Sequence, residues 1–256
     1  MCLILVAKDV HSCYPLIIIA NREEYHSRPT QSLSFWHDHP TIAAGRDLTA
    51  GGTWFGLNLQ GLFAAVTNFQ EPTVTVRSDY SRGMLALDWL RQKTEPADSH
   101  LRNHDQLQRY PGVNVISGNI TTLWWDSNRA SAPRRIPSGI SGLSNSLLNS
   151  PWHKIVYGKQ LFKTILNRSF RSDTFFELLS NRTPAKGIDA RNSGCSPDLP
   201  AAQSAIFIKG PVYGTRSSTV LLVDQQNQVQ LVERSYDPEG TILGENRLNF
   251  QLQPIA

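Results

Sequence analysis

The sequence predicts an α+β fold, a four-layer α/β/β/α sandwich in which two antiparallel sheets pack face to face and helices cover their outer sides. Three observations carry this. Residues 2–68 alternate short β-rich runs with turns, helical periodicities are grouped between 82 and 179, and strand patterns return after 205. With no internal repeat and 256 residues, a length that one core can still serve, the chain reads as a single domain over 1–256.

The first block opens as a hairpin. Cys2 to Ala7 and Tyr14 to Asn21 are apolar and rich in β-branched residues, with His11-Ser12 in the break between them. Thr41 to Ala44, Trp54 to Asn58 and Leu62 to Asn68 follow as strands, the last two joined through Leu59-Gln60-Gly61. Arg82 to Arg91 carries apolar residues around a helix, and Asp98 to Arg109 reads as a second, more polar one. Val113 to Ser117 and Thr121 to Asp126 form a strand pair around Gly118-Asn119. The strongest helix signal begins at Ser150-Pro151, a cap residue and a proline tolerated at the first helical position, and runs through Trp152, Ile155, Val156, Phe162, Ile165 and Leu166. A further helix spans Thr174 to Leu179, with Thr174 and Glu177 spaced for a capping box. Thr183 to Ser204 is loop-forming in composition. The closing strands are Ala205 to Lys209, Thr219 to Asp224, Val229 to Arg234 and Leu248 to Leu252, with Gln225 to Gln228 as a turn.

Composition excludes several function classes. A net charge of +4 without a run of Lys or Arg lacks the positive stripe that tracks phosphates, so nucleic acid is not an expected partner, while a small anionic or amphipathic ligand is. The aliphatic stretch Leu16 to Ala20 is too short to cross a bilayer, so no integral membrane segment is expected. The opening residues lack the basic and long apolar regions of a secretory signal, and a cytoplasmic location is expected. Cys2, Cys13 and Cys195 are odd in number and have no metal-type spacing, which argues against a disulfide framework and a structural zinc site.

Two places carry candidate chemistry. Cys2 is small enough beside the initiator for Met1 to be removed, which would leave a thiol and a free α-amine on one residue. Such an amine titrates at about 7.7 to 8.0 and can serve as a local base toward the thiol. The alternative is a buried, inert thiol at a strand start. The second place is Ala20-Asn21-Arg22-Glu23-Glu24-Tyr25-His26-Ser27-Arg28-Pro29, where an apolar run ends abruptly in charge. In extended chain Asn21 and Glu23 share one face, and Arg22 and Glu24 the other. A solvated strand end with trivial Arg–Glu pairing is the alternative there. Gly51-Gly52 and Gly214 read as turn glycines, and Trp54 and Trp152 as core or pocket-wall aromatics.

Met1-Cys2, Asn21-Arg22-Glu23-Glu24 with Ser27-Arg28-Pro29, Gly51-Gly52-Thr53-Trp54-Phe55-Gly56, Thr67-Asn68, Gly142-Leu143-Ser144-Asn145-Ser146, Ser150-Pro151-Trp152 and Tyr213-Gly214-Thr215-Arg216 together resemble, in order, the landmarks of the NRDE family, also called the transport and Golgi organisation protein 2 family. The naming tetrad is Asn-Arg-Asp-Glu, and this chain departs from it with Glu23 in place of Asp. The resemblance implies an N-terminal-nucleophile (Ntn) hydrolase-like scaffold, similar to cysteine hydrolases of linear amides such as bile-salt hydrolases and penicillin V acylases. By that resemblance Cys2 is the nucleophile, Glu23 the carboxylate that orients the amine, and Asn68 and Asn145 oxyanion contacts. Asn21, Arg22, Glu24, Arg28, Trp54 and Arg216 are the expected ligand-binding set. Ala20 stands where those hydrolases carry an arginine, which implies a thiol deprived of that positive charge. The family's link to intracellular haem trafficking implies haem as cargo with no cofactor required, His26, His37 and His39 being candidate iron ligands. An amidohydrolase of linear amides and a binder of acyl-coenzyme A or amphipathic lipids are the rival readings.

Overall fold

A computed structural model describes residues 2–71, 80–93, 104–186 and 201–253. Residues 98–103 of the predicted Asp98 to Arg109 helix, and 187–200 of the predicted loop with Cys195, lie outside the described residues.

In chain order the strands are β1 (Cys2–Lys8), β2 (Leu16–Tyr25), β3 (Thr30–Phe35), β4 (Ile42–Asp47), β5 (Phe55–Asn58), β6 (Leu62–Asn68), β7 (Val113–Asn119), β8 (Leu123–Ser127), β9 (Arg134–Arg135), β10 (Gly139–Leu143), β11 (Tyr213–Val223), β12 (Gln228–Tyr236) and β13 (Ile242–Gln251). The helices are α1 (Arg82–Leu90), α2 (His153–Leu166) and α3 (Ser172–Leu179). Two antiparallel sheets form, one ordered β10-β1-β2-β11-β12-β13 and the other running β3 to β9 in sequence.

Side-chain alternation on the strands builds the layers. Ile4 and Val6 of β1, with Leu16, Ile18 and Ala20 of β2, enter the core between the sheets alongside Leu57, Phe63 and Trp125. Leu3, Leu5, Ile17 and Ile19 point the other way and pack under α2 and α3 against Phe162, Phe175 and Phe176. On the far side, Leu87 and Leu90 of α1 cover Ala64, Val66 and Val113. The order is therefore helix, sheet, sheet, helix, the predicted α/β/β/α sandwich. Strands buried on both faces cannot alternate apolar with polar residues, which is why β1 and β2 read as continuous aliphatic runs. Among the described residues no helix is long and apolar enough to cross a membrane.

Several elements differ from expectation. The apolar run Ala205 to Lys209 is not a strand. Ala205 to Ile208 are buried, but the backbone is tied to loops and a strand end, with Phe207 N donating to Asn181 O and Ile208 N to Thr215 Oγ1, rather than to a ladder. Apolar periodicity alone does not separate a buried irregular segment from a strand. α2 starts at His153 rather than at Ser150-Pro151, because Ser150 Oγ donates to Leu147 O in the preceding turn and Trp152 is the extended residue before the helix. α3 starts at Ser172, so Thr174 is its third residue and accepts from Arg171 N at 3.4 Å instead of pairing with Glu177. β3, β9 and β10 were not foreseen; they are short or polar and carry little strand propensity.

Candidate functional site around Cys2

β1 lies between β10 and β2, and this placement builds the site. On one side Cys2 faces Arg22 in register. On the other, the chain leaving β10 turns through Ser144 and Asn145, and this turn grips the start of β1. Cys2 N donates to Asn145 Oδ1 at 3.0 Å, and Ser144 Oγ donates to Cys2 O at 2.6 Å. Asn145 Oδ1 is taken by Cys2 N, so Nδ2 is the atom left to donate, which it does to Asn68 O at 2.7 Å. Behind the turn, Thr67 Oγ1 donates to Ser144 O at 2.6 Å. Buried Asn114 donates to Thr67 Oγ1 and Ser146 O and accepts from Trp125 Nε1. Every polar group of this wall has a partner, which fixes the geometry at Cys2.

Cys2 opens into a cleft of about 480 Å³, whose lining includes Arg22, Glu23, Glu24, Arg28, Trp54 and Asn68, together with Asp47 and Arg82. Arg22 lies on the inter-sheet face with Cys2, its guanidinium 4.0 Å from the Trp54 ring and donating to Thr30 Oγ1 at 3.1 Å. Glu24 sits 3.9 Å from Arg22 and 4.0 Å from Arg28, and Arg28 donates through Nε and Nη2 to Asp47 Oδ2 at 2.9 and 2.6 Å. Ala20 does stand at the expected place, yet the site is not deprived of positive charge. Arg22, two residues along the same strand face, supplies it next to Cys2.

Glu23 takes the opposite face of β2, as the alternation requires, and its side chain is fully buried. Burial pushes its carboxyl up to about 7, against the opposing pull of Lys154 and of the amino-terminal charge. The Cys2 thiol is likewise raised by burial, the terminal ammonium, the Glu23 backbone N–H and the Arg22 guanidinium acting to lower it and the Glu23 carboxylate to raise it.

The remaining expected site residues lie elsewhere. Asn21 shares Glu23's face and is spent on the fold, its Nδ2 donating to Leu179 O and Ile206 O, both at 2.8 Å, while its Oδ1 accepts from Ser218 Oγ. Arg216 is the extra residue of a bulge in β11 and donates to Tyr25 O and Arg28 O, clamping the turn after β2. None of His26, His37 and His39 lines the cleft: His26 lies against Gly214, and His39 accepts from Arg91. Among the described residues there is no group of three or more His, Cys, Asp or Glu side chains that could hold a metal ion. Lys154, Ser144, Asn114 and Asp47 were missed. Of these, Ser144 lay within the quoted Gly142-to-Ser146 stretch without being read as a site residue, and Lys154 is a charged residue on the otherwise apolar face of α2.

Fold and site together define a four-layer α/β/β/α sandwich with a cysteine at the start of β1 in one of its two sheets. The chain belongs to the Transport and Golgi organisation 2 family, which it matches over residues 1–238. It is 31% identical to the Transport and Golgi organization protein 2 homolog of Homo sapiens over 257 residues, covering 92% of this chain and 93% of that protein. The Mus musculus homolog is 30% identical over 276 residues, covering 99% and 100%, and the Drosophila melanogaster protein is 27% identical, covering 94% and 95%. Solved structures similar to it include penicillin V acylase from Agrobacterium tumefaciens, at 11% identity and a TM-score of 0.47 over 98% of this chain and 86% of that one. A mutant conjugated bile acid hydrolase from Clostridium perfringens gives 11% and 0.46 over 100% and 94%.

Proposed function

We propose that this protein is an N-terminal-cysteine hydrolase that cleaves the C–N bond of a small linear amide through a thioester on Cys2. The observation that carries the reading is the convergence at one strand start: Cys2 in a cleft of about 480 Å³, its backbone N held by Asn145 at 3.0 Å, and Arg22 facing it in register from β2. Once Met1 is removed, the α-amine on Cys2 takes the thiol proton as Sγ attacks the carbonyl carbon. The amine then returns that proton to the departing nitrogen as the C–N bond breaks, and water, deprotonated by the same amine, attacks the thioester carbonyl to release the carboxylic acid and restore the Cys2 thiol. The Nδ2 hydrogen of Asn145 not given to Asn68 O, with the Asn68 side chain at the cleft, is suited to the oxyanion that appears only in the transition state. Free thiols at Cys2 and Cys13 suit a cytoplasmic, reducing setting.

Intact-mass measurement and acyl labelling test the reading. Loss of Met1 and stoichiometric labelling of Cys2 by an acyl β-lactone, abolished in Cys2→Ala, is the expected result. Retained Met1, or a Cys2 that no acyl electrophile labels, overturns it.

A second reading, carriage of an anionic amphiphile such as haem or an acyl-coenzyme A, is favoured by one observation: Arg22, Arg28 and Arg82 line the same cleft as the Trp54 ring. Such a ligand would place its anionic groups on the guanidiniums and its apolar body on the indole. Saturable binding of haem, read in the Soret band and weakened by Arg22→Ala, supports carriage, and no saturable change removes it.

A further inference from the structure

A second cavity, of about 240 Å³, lies on the outer side of the other sheet and, among the described residues, shares no lining residue with the Cys2 cleft. Its floor is β7 and β8, where Val115 pairs with Asp126 in register and Ser117 stands two residues further along the same face. α1 roofs it with Trp89, and Gln92 follows just past the helix end. Leu107 and Tyr110 form the remaining wall. Buried Asn128 holds that wall in place, donating through Nδ2 to the carbonyls of both residues at 2.9 Å while its Oδ1 accepts from Val113 N. The indole of Trp89 is held as well, its Nε1 donating to Gly118 O at 3.2 Å.

The carboxylate in this floor is used on one side only. Asp126 Oδ1 accepts from His104 Nδ1 and from Ser127 N, both at 2.7 Å, which fixes its orientation. Oδ2 has no hydrogen-bond partner, although the side chain is only 10% exposed. Gln92 Oε1, at the same cavity, is buried and also lacks a partner. Buried acceptors are nearly always paired, so two unpaired ones at a single cavity require a donor that the chain does not supply.

Charge and lining describe that donor. Among the described residues the lining carries two carboxylates, Asp88 and Asp126, and no Lys or Arg, although the chain as a whole has a net charge of +4. The neighbouring cationic side chains are already engaged, Arg91 with Asp88 at 3.5 Å and His104 with Asp126 Oδ1. A metal ion is poorly served, because no third His, Cys, Asp or Glu among the described residues completes a ligand set. Leu107, Val115 and the rings of Trp89 and Tyr110 suit an apolar body instead, and aromatic faces attract an ammonium. We propose that this cavity binds a small organic cation, a primary ammonium on a short aromatic or aliphatic body. The ammonium donates to Asp126 Oδ2, with Gln92 Oε1 as its second acceptor, and the body lies against Trp89 and Leu107. The assignment does not depend on the chemistry at Cys2.

The test is an NMR titration of the full chain, ¹⁵N-labelled at its indoles, with 2-phenylethylammonium, with the slimmer butylammonium, and with 2-phenylethanol as the neutral counterpart. The Trp89 indole signal, identified by its loss in Trp89→Phe, reports on the cavity. At least one ammonium should shift it saturably below about 10 mM. The alcohol should bind roughly tenfold more weakly or worse, because the bond to a charged partner is lost. Asp126→Asn keeps an acceptor for Ser127 N and should weaken the ammonium by roughly tenfold or more while leaving the alcohol unchanged. Should that variant fail to fold, Gln92→Leu, beyond the end of α1, should weaken the ammonium several-fold. Ammoniums that leave Trp89 unshifted up to about 10 mM overturn the proposal and assign Oδ2 to an ordered water. An alcohol that binds as tightly as the ammonium overturns it too, as does undiminished ammonium binding by folded Asp126→Asn or, in its place, Gln92→Leu.

Discussion

Replacing Asn145 with alanine tests whether the turn after β10 is what holds the start of β1. The side chain is 2% exposed and makes two hydrogen bonds, Cys2 N donating to its Oδ1 and its Nδ2 donating to Asn68 O, with Ser144 Oγ 3.2 Å from Oδ1. Each is worth about 0.5–1.5 kcal/mol net, and more where the abandoned partner stays buried. Ser144 keeps its 2.6 Å bond to Cys2 O, so the strand start is loosened rather than released. The expected loss is therefore about 2–4 kcal/mol, read as a lower midpoint in urea denaturation at unchanged m-value. Acyl labelling of Cys2 should slow by a factor of roughly 100 at the same time, since an oxyanion donor is lost together with the geometry. A stability loss under about 1 kcal/mol with labelling intact would mean that other contacts position Cys2, and the account of the wall given above would be wrong.

Three further outcomes follow from the structure. Glu233 is buried and its carboxyl is pushed up to about 7 from 4.5, so the folded state binds a proton more tightly than the unfolded one; its contribution is complete below 4.5 and is lost as pH rises through 7. Glu233→Gln should accordingly flatten the stability profile across that window and gain up to roughly 3 kcal/mol above it, as measured by denaturation at several pH values. Arg22→Met removes the guanidinium that favours the Cys2 thiolate, so the rate of Cys2 alkylation by iodoacetamide at neutral pH should fall several-fold; an unchanged rate would show that Arg22 does not act on the thiol. A Cβ at Gly52 would lie 2.4 Å from the Gly83 carbonyl carbon, a backbone atom that cannot swing aside, so Gly52→Ala should separate α1 from the strand end and lower stability by about 1–3 kcal/mol in a thermal melt.

What the sequence made legible was what local pattern encodes. Alternation along Asn21-Arg22-Glu23-Glu24 assigned these four residues to two faces, and the structure keeps that assignment, with Arg22 on the inter-sheet side over Trp54 and Glu23 on the helix side facing Lys154. The aliphatic runs of β1 and β2 already announced strands covered on both sides. Partnerships across the chain were not legible. Asn21 looked like a ligand contact because it is polar at a strand end, but its amide is consumed by two carbonyls contributed from 158 and 185 positions away. Lys154 was hidden by the helical periodicity that made α2 easy to find, since pattern reading records the apolar positions and passes over a lysine among them. Arg216 reads as a pocket residue until the bulge in β11 turns its guanidinium onto the carbonyls of the preceding turn. Hydrogen bonding across long separations decides each of these cases, and it leaves no local signature.

The enclosure of β1 between β2 and β10 also orders events in time. Cys2 and Asn145 are 143 positions apart, so at ordinary elongation speeds roughly 7 to 30 seconds pass on the ribosome between the emergence of one and of the other. An aminopeptidase needs an extended, reachable end, and the arrival of residues 139–145 takes that reach away. Under the proposed N-terminal-cysteine reading, trimming of Met1 would belong to the nascent chain, and a transcript translated faster than the peptidase can act would yield molecules that fold correctly yet never acquire the amine.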